Sequence, residues 1–263
     1  MKTIKNYIRA QSLEEAYNLN QKKTNKIIGG MLWLKMQTGS LQNAIDLCDL
    51  HLDTIEENEK SFTIGAMTSL RQLECHESLN AFCNGSIKKA LSDIVGVQFR
   101  NLATIGGSIW GRYGFSDVLT VFLGMDTYVN LYKGGSIPLK DFTTMSYDND
   151  LLLSITVMKT PVYIAYQAVR NTRTDFPVLT CAVSSIGKKY QAVIGARPGR
   201  ALVIEDKKQL LSGGISPESA DSFGDYVAQN IITGTNMRGS KEYRKHLAKV
   251  LTSRCLLELK GVL

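Results

Sequence analysis

Hydrophobic positions along the chain recur in short runs of changing period. Ser12-Leu13-Glu14-Glu15 carries the capping-box pattern, in which a serine and a glutamate three residues on satisfy each other's orphan amides. Leu13, Ala16 and Tyr17 follow at helical spacing and predict a helix of about ten residues from Ser12. Ile27-Ile28 reads as a short buried strand that runs into Gly29-Gly30, a turn whose backbone something can approach closely. Further strands are predicted over residues 44–47, 61–65, 127–132 and 151–157, the third turning at Gly134-Gly135 as a hairpin edge. Thr68 or Ser69 caps a helix through Leu70 and Leu73, and another helix covers 86–95. Residues 104–111 are glycine-rich and turn-like, and 118–124 form an apolar segment.

A boundary falls near Lys159-Thr160-Pro161. Beyond it, strands are predicted over 163–169, 178–185 and 189–194, and helices over 217–230 and 240–258. The fold class is therefore α+β. Residues 1–159 form the first domain, with subdomains near 1–55 and 56–159, and residues 160–263 form a smaller sheet-plus-helices domain.

Composition narrows the function classes. The 263 residues are 44% hydrophobic and 21% charged, which is ordinary globular usage. No apolar run reaches the roughly 18 residues of a membrane span. Residues 1–7 lack the apolar core of a secretory signal, so the expected compartment is the cytoplasm. The 5 cysteines form no CxxC pair, and the 3 histidines are scattered, so no metal site is expected from this chain alone. The net charge of +7 is dispersed rather than interleaved with aromatics, which argues against nucleic acid. A modest positive field also suits an anionic phosphate ligand or an acidic partner subunit.

Candidate chemistry sits at the two glycine-rich turns, Ile28-Gly29-Gly30-Met31 and Thr104-Ile105-Gly106-Gly107-Ser108. Glycines let backbone N–H groups point into a shared concavity that favours an anion such as a pyrophosphate. Thr104 and Ser108 add hydroxyls, and Asp117 lies within reach of a ribose. Neither turn carries G-x-G-x-x-G, which disfavours a Rossmann fold. A P-loop is also excluded, because Arg112 and Tyr113 stand where the lysine and the Ser/Thr would be.

Several strings occur in one order along nearly the whole chain: Ile28-Gly29-Gly30, Ile64-Gly65-Ala66-Met67-Thr68, Phe99-Arg100-Asn101-Leu102-Ala103-Thr104-Ile105-Gly106-Gly107-Ser108 with Asp117 downstream, Ile137-Pro138-Leu139-Lys140-Asp141-Phe142, and Arg238-Gly239-Ser240-Lys241-Glu242-Tyr243-Arg244. This order resembles the FAD-binding (medium) subunits of molybdenum hydroxylases, such as those of xanthine dehydrogenase and aerobic carbon monoxide dehydrogenase. The resemblance implies a PCMH-type FAD-binding fold of two α/β subdomains, followed by a small antiparallel sheet with helices. It implies that the two turns close on one FAD. The backbone at Gly29, Gly30 and Met31 would hold the pyrophosphate, within the stretch Lys26, Ile27, Ile28, Gly29, Gly30, Met31, Leu32 and Trp33. Thr104, Gly106, Gly107 and Ser108 would contact phosphate and ribose, and Asp117 would make a polar contact. Ile94 and Leu152 would pack against the cofactor, and Gln167 would donate a hydrogen bond to it. No residue is expected to act as an essential acid or base.

The resemblance further implies a heteromeric complex. Substrate, a purine or another N-heterocycle, is oxidised at a molybdenum cofactor in one partner, and [2Fe–2S] clusters in another pass electrons to FAD and on to NAD. The chain departs from the family at Met31-Leu32-Trp33, where polar side chains are usual, and at Tyr166-Gln167, where a lysine is common. Trp110, Arg112 and Tyr113 likewise replace small residues. These departures set up an alternative, a flavin-poor docking subunit that kept the fold.

Overall fold

The computed structural model describes residues 2–261. Its strands are β1 (Thr3–Arg9), β2 (Asn25–Ile28), β3 (Ser40–Asp46), β4 (Ile55–Glu57), β5 (Ser61–Gly65), β6 (Thr127–Leu131), β7 (Gly135–Pro138), β8 (Leu152–Met158), β9 (Val162–Arg170), β10 (Pro177–Ile186), β11 (Lys189–Gly195) and β12 (Leu202–Glu205). Its helices are α1 (Leu13–Asn20), α2 (Leu70–Cys75), α3 (Glu77–Phe82), α4 (Ser86–Ser92), α5 (Val97–Leu102), α6 (Ile105–Gly111), α7 (Asp117–Leu123), α8 (Leu139–Phe142), α9 (Pro217–Asn230) and α10 (Lys241–Lys260).

The chain divides into two compact units that interleave. The first takes residues up to 72, then 97–111 and 127–157; the second takes 73–96, 112–126 and everything from 158. Two segments of the N-terminal half, 73–96 and 112–126, thus group with the C-terminal strands.

In the first unit, β1, β3 and β2 form a parallel three-stranded sheet in that order. The crossover helix α1 packs Ala16 and Tyr17 against Ile45 and Leu47 of that layer. Ser12 caps α1 by accepting from the Glu15 amide. The reciprocal half of the expected box is shifted by one residue, since the Glu15 carboxylate accepts from the Gln11 amide instead. A five-stranded sheet in the order β4-β5-β8-β6-β7 completes the unit. The hairpin edge is therefore β7, with β6 paired on both sides.

The second unit is built on an antiparallel sheet in the order β12-β11-β10-β9. Helices α9 and α10 cover one face and pack on Leu179, Cys181 and Val183 of β10. Helices α4 and α7 serve the other face. The Ser86 hydroxyl donates to the Ile164 carbonyl, and the Thr120 and Thr180 hydroxyls meet at 2.9 Å. Cover on both faces explains why β10 is buried along all but its last residue, and α7 is buried at every position.

Three departures from the sequence reading have physical causes. The glycine-rich 104–111 stretch is mostly helix α6 rather than a turn. Gly106 sits there because an added Cβ would lie 2.5 Å from the Ala66 carbonyl oxygen. The segment after 195 is not only helical, since β12 adds an edge strand beside β11. Strand β1 was not foreseen because most of its side chains are exposed, leaving little hydrophobic alternation to read.

Candidate functional site

In the first unit the two glycine turns meet. Strand β2 ends at Ile28 opposite Asp46, and the chain then runs against the segment before α6. A Cβ on Gly30 would fall 1.8 Å from the Leu102 carbonyl oxygen, and one on Gly29 would fall 2.8 Å from the Thr104 hydroxyl. Gly30 is therefore required by backbone contact within the protein, and Gly29 by the Thr104 side chain. Met31 follows with a left-handed φ of 58°. Among the described residues, the backbone N–H groups of Gly29, Gly30, Met31 and Leu32 donate no hydrogen bond, and these residues are exposed or half-buried.

The second turn is different. The amides of Ile105 and Gly106 donate to the carbonyls of Thr68 (2.9 Å) and Ala66 (2.8 Å). The Gly107 amide donates to the Thr104 hydroxyl at 3.1 Å, and both the Ser108 amide and hydroxyl donate to the Thr104 carbonyl. The expected open nest over 104–108 is corrected on this ground: those amides are already used, and only the first turn keeps a free row. The Thr104 hydroxyl still has its own proton to give. Gly107 is exposed and sits in a helix, and a Cβ there would meet only the Thr104 hydroxyl, at 3.2 Å. Helix geometry gives no reason for a glycine at that position.

The remaining expected residues of this unit are placed as follows. Lys26 is exposed on β2, Ile27 packs on the α1 layer, and Leu152 is buried on β8 opposite Leu131. The Trp33 ring meets Phe99 edge-on at 6.4 Å, and Trp110 lies 5.9 Å from Phe142. Both tryptophans are thus engaged by aromatic neighbours of their own unit.

In the second unit, Asp117 opens α7 and is buried, with its side chain 6% exposed. Its Oδ1 accepts from the Tyr166 hydroxyl and, at 2.6 Å, from the Arg170 guanidinium. Burial pushes the Asp117 carboxyl up to about 6, against the opposing pull of Arg170 and Tyr166. Burial, with the Asp117 charge beside it, pushes the Tyr166 phenol well above its usual value. Residues 164, 166 and 170 share one strand face, which places Tyr166 and Arg170 together at α7. That period-2 spacing was legible, but Tyr166 was read only as filling a missing lysine's place. Arg170 also donates to the Asp175 carbonyl at 2.6 Å.

Gln167 is half-buried and donates to Glu258, which also pairs with Lys89 at 2.8 Å. Ile94 is half-buried after α4. Arg112 is buried at a left-handed φ of 43°. His76 is an N-cap, accepting from the Leu79 amide on Nδ1. Among the described residues no helix is long and apolar enough to cross a membrane.

Comparison with known proteins gives this architecture its class. Residues 2–158 match the family described as the FAD binding domain in molybdopterin dehydrogenase, and residues 164–259 match the CO dehydrogenase flavoprotein C-terminal domain. The chain is 24% identical over 276 residues to the glyceraldehyde dehydrogenase medium chain of Sulfolobus acidocaldarius, covering 96% of this chain and 97% of that one. It is 23% identical over 280 residues to the xanthine dehydrogenase FAD-binding subunit of Escherichia coli O157:H7, covering 96% and 94%. The fold is that of a chain of reconstituted CO dehydrogenase from Oligotropha carboxidovorans, with a TM-score of 0.87 at 22% identity over 97% of each chain. The molecule is therefore an oxidoreductase subunit with a flavoprotein fold. It belongs to the FAD-binding subunits of the molybdenum hydroxylase family.

Proposed function

We propose that this chain holds one FAD and serves as the electron-exit subunit of a cytoplasmic heteromeric dehydrogenase. The observation that carries the proposal is the free row of amides from Gly29 to Leu32, packed beside Thr104 and Leu102. Such a row is an anion cradle and suits a pyrophosphate. FAD, when bound, supplies the conversion between single electrons from partner [2Fe–2S] clusters and a hydride for NAD.

The chain's own residues bind and orient. Gly29, Gly30, Met31 and Leu32 donate backbone hydrogen bonds to phosphate, with Lys26, Ile27, Ile28 and Trp33 framing the loop. Exposed Gly107 presents no side chain to the cofactor beside Thr104, Gly106 and Ser108. Leu152 acts as packing under that unit. In the second unit, Asp117 is a positioning residue whose ion pair fixes the start of α7. Ile94 and Gln167 are assigned to cofactor packing and polar contact there. In sequence terms, residues 1–159 form the FAD-binding domain and 160–263 the C-terminal flavoprotein domain; the two family matches fall on either side of that boundary. The relatives act on substrates as unlike as glyceraldehyde and xanthine, so the choice of substrate, purine or otherwise, belongs to the molybdenum-cofactor subunit.

The second reading is the flavin-poor docking subunit. The apolar Met31-Leu32-Trp33 loop and the occupied amides of 105–108 favour it. The test is the visible spectrum of the purified chain, with chromatography of any released cofactor, followed by NADH addition. Stoichiometric FAD bleached by NADH supports electron exit. No flavin, even after incubation with FAD, supports docking.

A further inference from the structure

The amides from Gly29 to Leu32 bond to nothing in the first unit, so the row does not hold its own shape. Helix α5 holds it on either side of Met31. On one side, Gly30 lies so close to the Leu102 carbonyl oxygen that an added Cβ would fall 1.8 Å from it. On the other side, the Trp33 ring meets the Phe99 ring edge-on, with centroids 6.4 Å apart and planes at 70°. Phe99 and Leu102 lie within one turn of α5, so one short helix grips the row at both of its ends.

The grip is itself anchored. The Ala103 amide donates to the Phe99 carbonyl at 2.8 Å, and the Ala103 carbonyl accepts from the Leu70 amide at 2.8 Å. Beyond the row, the Lys35 amide donates to the Met31 carbonyl at 3.0 Å and the Met36 amide to the Trp33 carbonyl at 3.3 Å. The carbonyls of this loop are thus used in its turn while its first amides stay open. Met31, between the two grips, keeps a left-handed φ of 58°, which an unrestrained loop seldom adopts at a residue with a side chain.

Trp33 and Phe99 are both half-buried, and an edge-to-face pair is a favourable aromatic geometry. A loose row would lose conformational entropy on closing around an anion, whereas a row already held does not. We infer that Trp33 and Phe99 are positioning residues, an aromatic clasp that keeps the amide row in the form a pyrophosphate needs. Pre-organisation thereby supplies affinity in a loop whose side chains at 31–33 are apolar. Phe99 acts only through Trp33. The inference rests on the proposed FAD site of the first unit.

The test uses the flavin-free full chain, titrated with FAD and separately with ADP, which carries a pyrophosphate without the isoalloxazine. Phe99→Ala is expected to weaken both ligands about tenfold, the scale of coupling between side chains in contact. Phe99→Tyr keeps the ring and is expected to recover most of that loss. Trp33→Ala is expected to lose as much as Phe99→Ala, and the double variant no more than either, because the rings act as one unit. If the alanine variants do not fold, Trp33→Leu and Phe99→Leu, which keep apolar cover, carry the same cycle. Wild-type FAD affinity in Phe99→Ala overturns the clasp and leaves the FAD site standing. Losses that add across the cycle, or that spare ADP, also overturn it, because Trp33 then acts without Phe99 or away from the pyrophosphate. A wild-type chain that binds neither FAD nor ADP overturns the site and the clasp together.

Discussion

Asp117 shows how one residue changes meaning between sequence and structure. Its place downstream of a glycine turn suggested a ribose contact, whereas its carboxylate is enclosed by Tyr166 and Arg170. Removing one partner of a buried pair leaves the other charge uncompensated, so Asp117→Ala is expected to cost about 3–5 kcal/mol in denaturant unfolding. Tyr166→Phe removes a single hydroxyl and is expected to cost about 1–2 kcal/mol by the same measurement. The pH dependence has a definite sign. Burial holds the folded carboxyl up at about 6, above its usual 3.8. The protonated form is thus favoured by folding, and its contribution is complete below the unfolded value and lost as pH rises through about 6. Asp117→Asn has nothing to titrate. The stability of wild type relative to Asp117→Asn is therefore expected to fall between pH 4 and pH 7, as read from denaturant melts across that range. A difference that rises over the same range would show that Arg170 outweighs burial.

Helix α6 is the element where local sequence misled. Three glycines in seven residues read as a turn, yet the stretch is helical because its first two amides find carbonyls on the segment 66–68 and the third finds the Thr104 hydroxyl. That tertiary supply of acceptors is invisible to a scan of propensities. Gly107 then stands out as an exposed helix glycine whose added Cβ would meet only the Thr104 hydroxyl, at 3.2 Å. Gly107→Ala is expected to leave the melting temperature unchanged or raised, since alanine gains about 1 kcal/mol in a helix. With FAD seated against Gly107 as proposed, the variant is also expected to weaken FAD binding about tenfold or more, measured by flavin fluorescence titration, because the new Cβ would meet the cofactor. Gly30→Ala is a contrasting case: its Cβ falls 1.8 Å from a carbonyl oxygen, so loss of soluble folded protein is expected. At α1 the sequence was an adequate guide. Ser12 caps as its spacing indicated, and Ser12→Ala is expected to cost about 1 kcal/mol in chemical unfolding.

At the scale of the whole molecule, the strands at 61–65, 163–169, 178–185 and 189–194 were legible from alternation, and α9 and α10 from their caps and periodicity. The partition was not. Periodicity reports what a segment buries and not which segment covers it, so nothing in α4 or α7 announces the β9–β12 sheet as their support. That partition carries its own prediction. Residues 1–159 expressed alone would expose α7, whose side chains are all buried in the intact chain. Residues 160–263 alone would bare the face of β10 that Thr120 meets. Both fragments are expected to aggregate or to lack a cooperative melt by circular dichroism, while the full chain melts cooperatively. Two soluble, cooperative fragments would show that the interleaved segments are dispensable.

Interleaving also fixes an order of events during synthesis. Helix α7 leaves the ribosome before any strand of its own sheet has been made, because β9 to β12 all follow it in the chain. For that interval a largely apolar helix lacks the sheet that covers it in the finished fold, and the second unit cannot close until its last strands arrive. Substitutions that slow elongation between residues 124 and 195 therefore lengthen the exposure without altering the finished fold. Yield of this subunit in the cell is expected to respond to translation speed and chaperone supply over that stretch more than to the stability of the folded product.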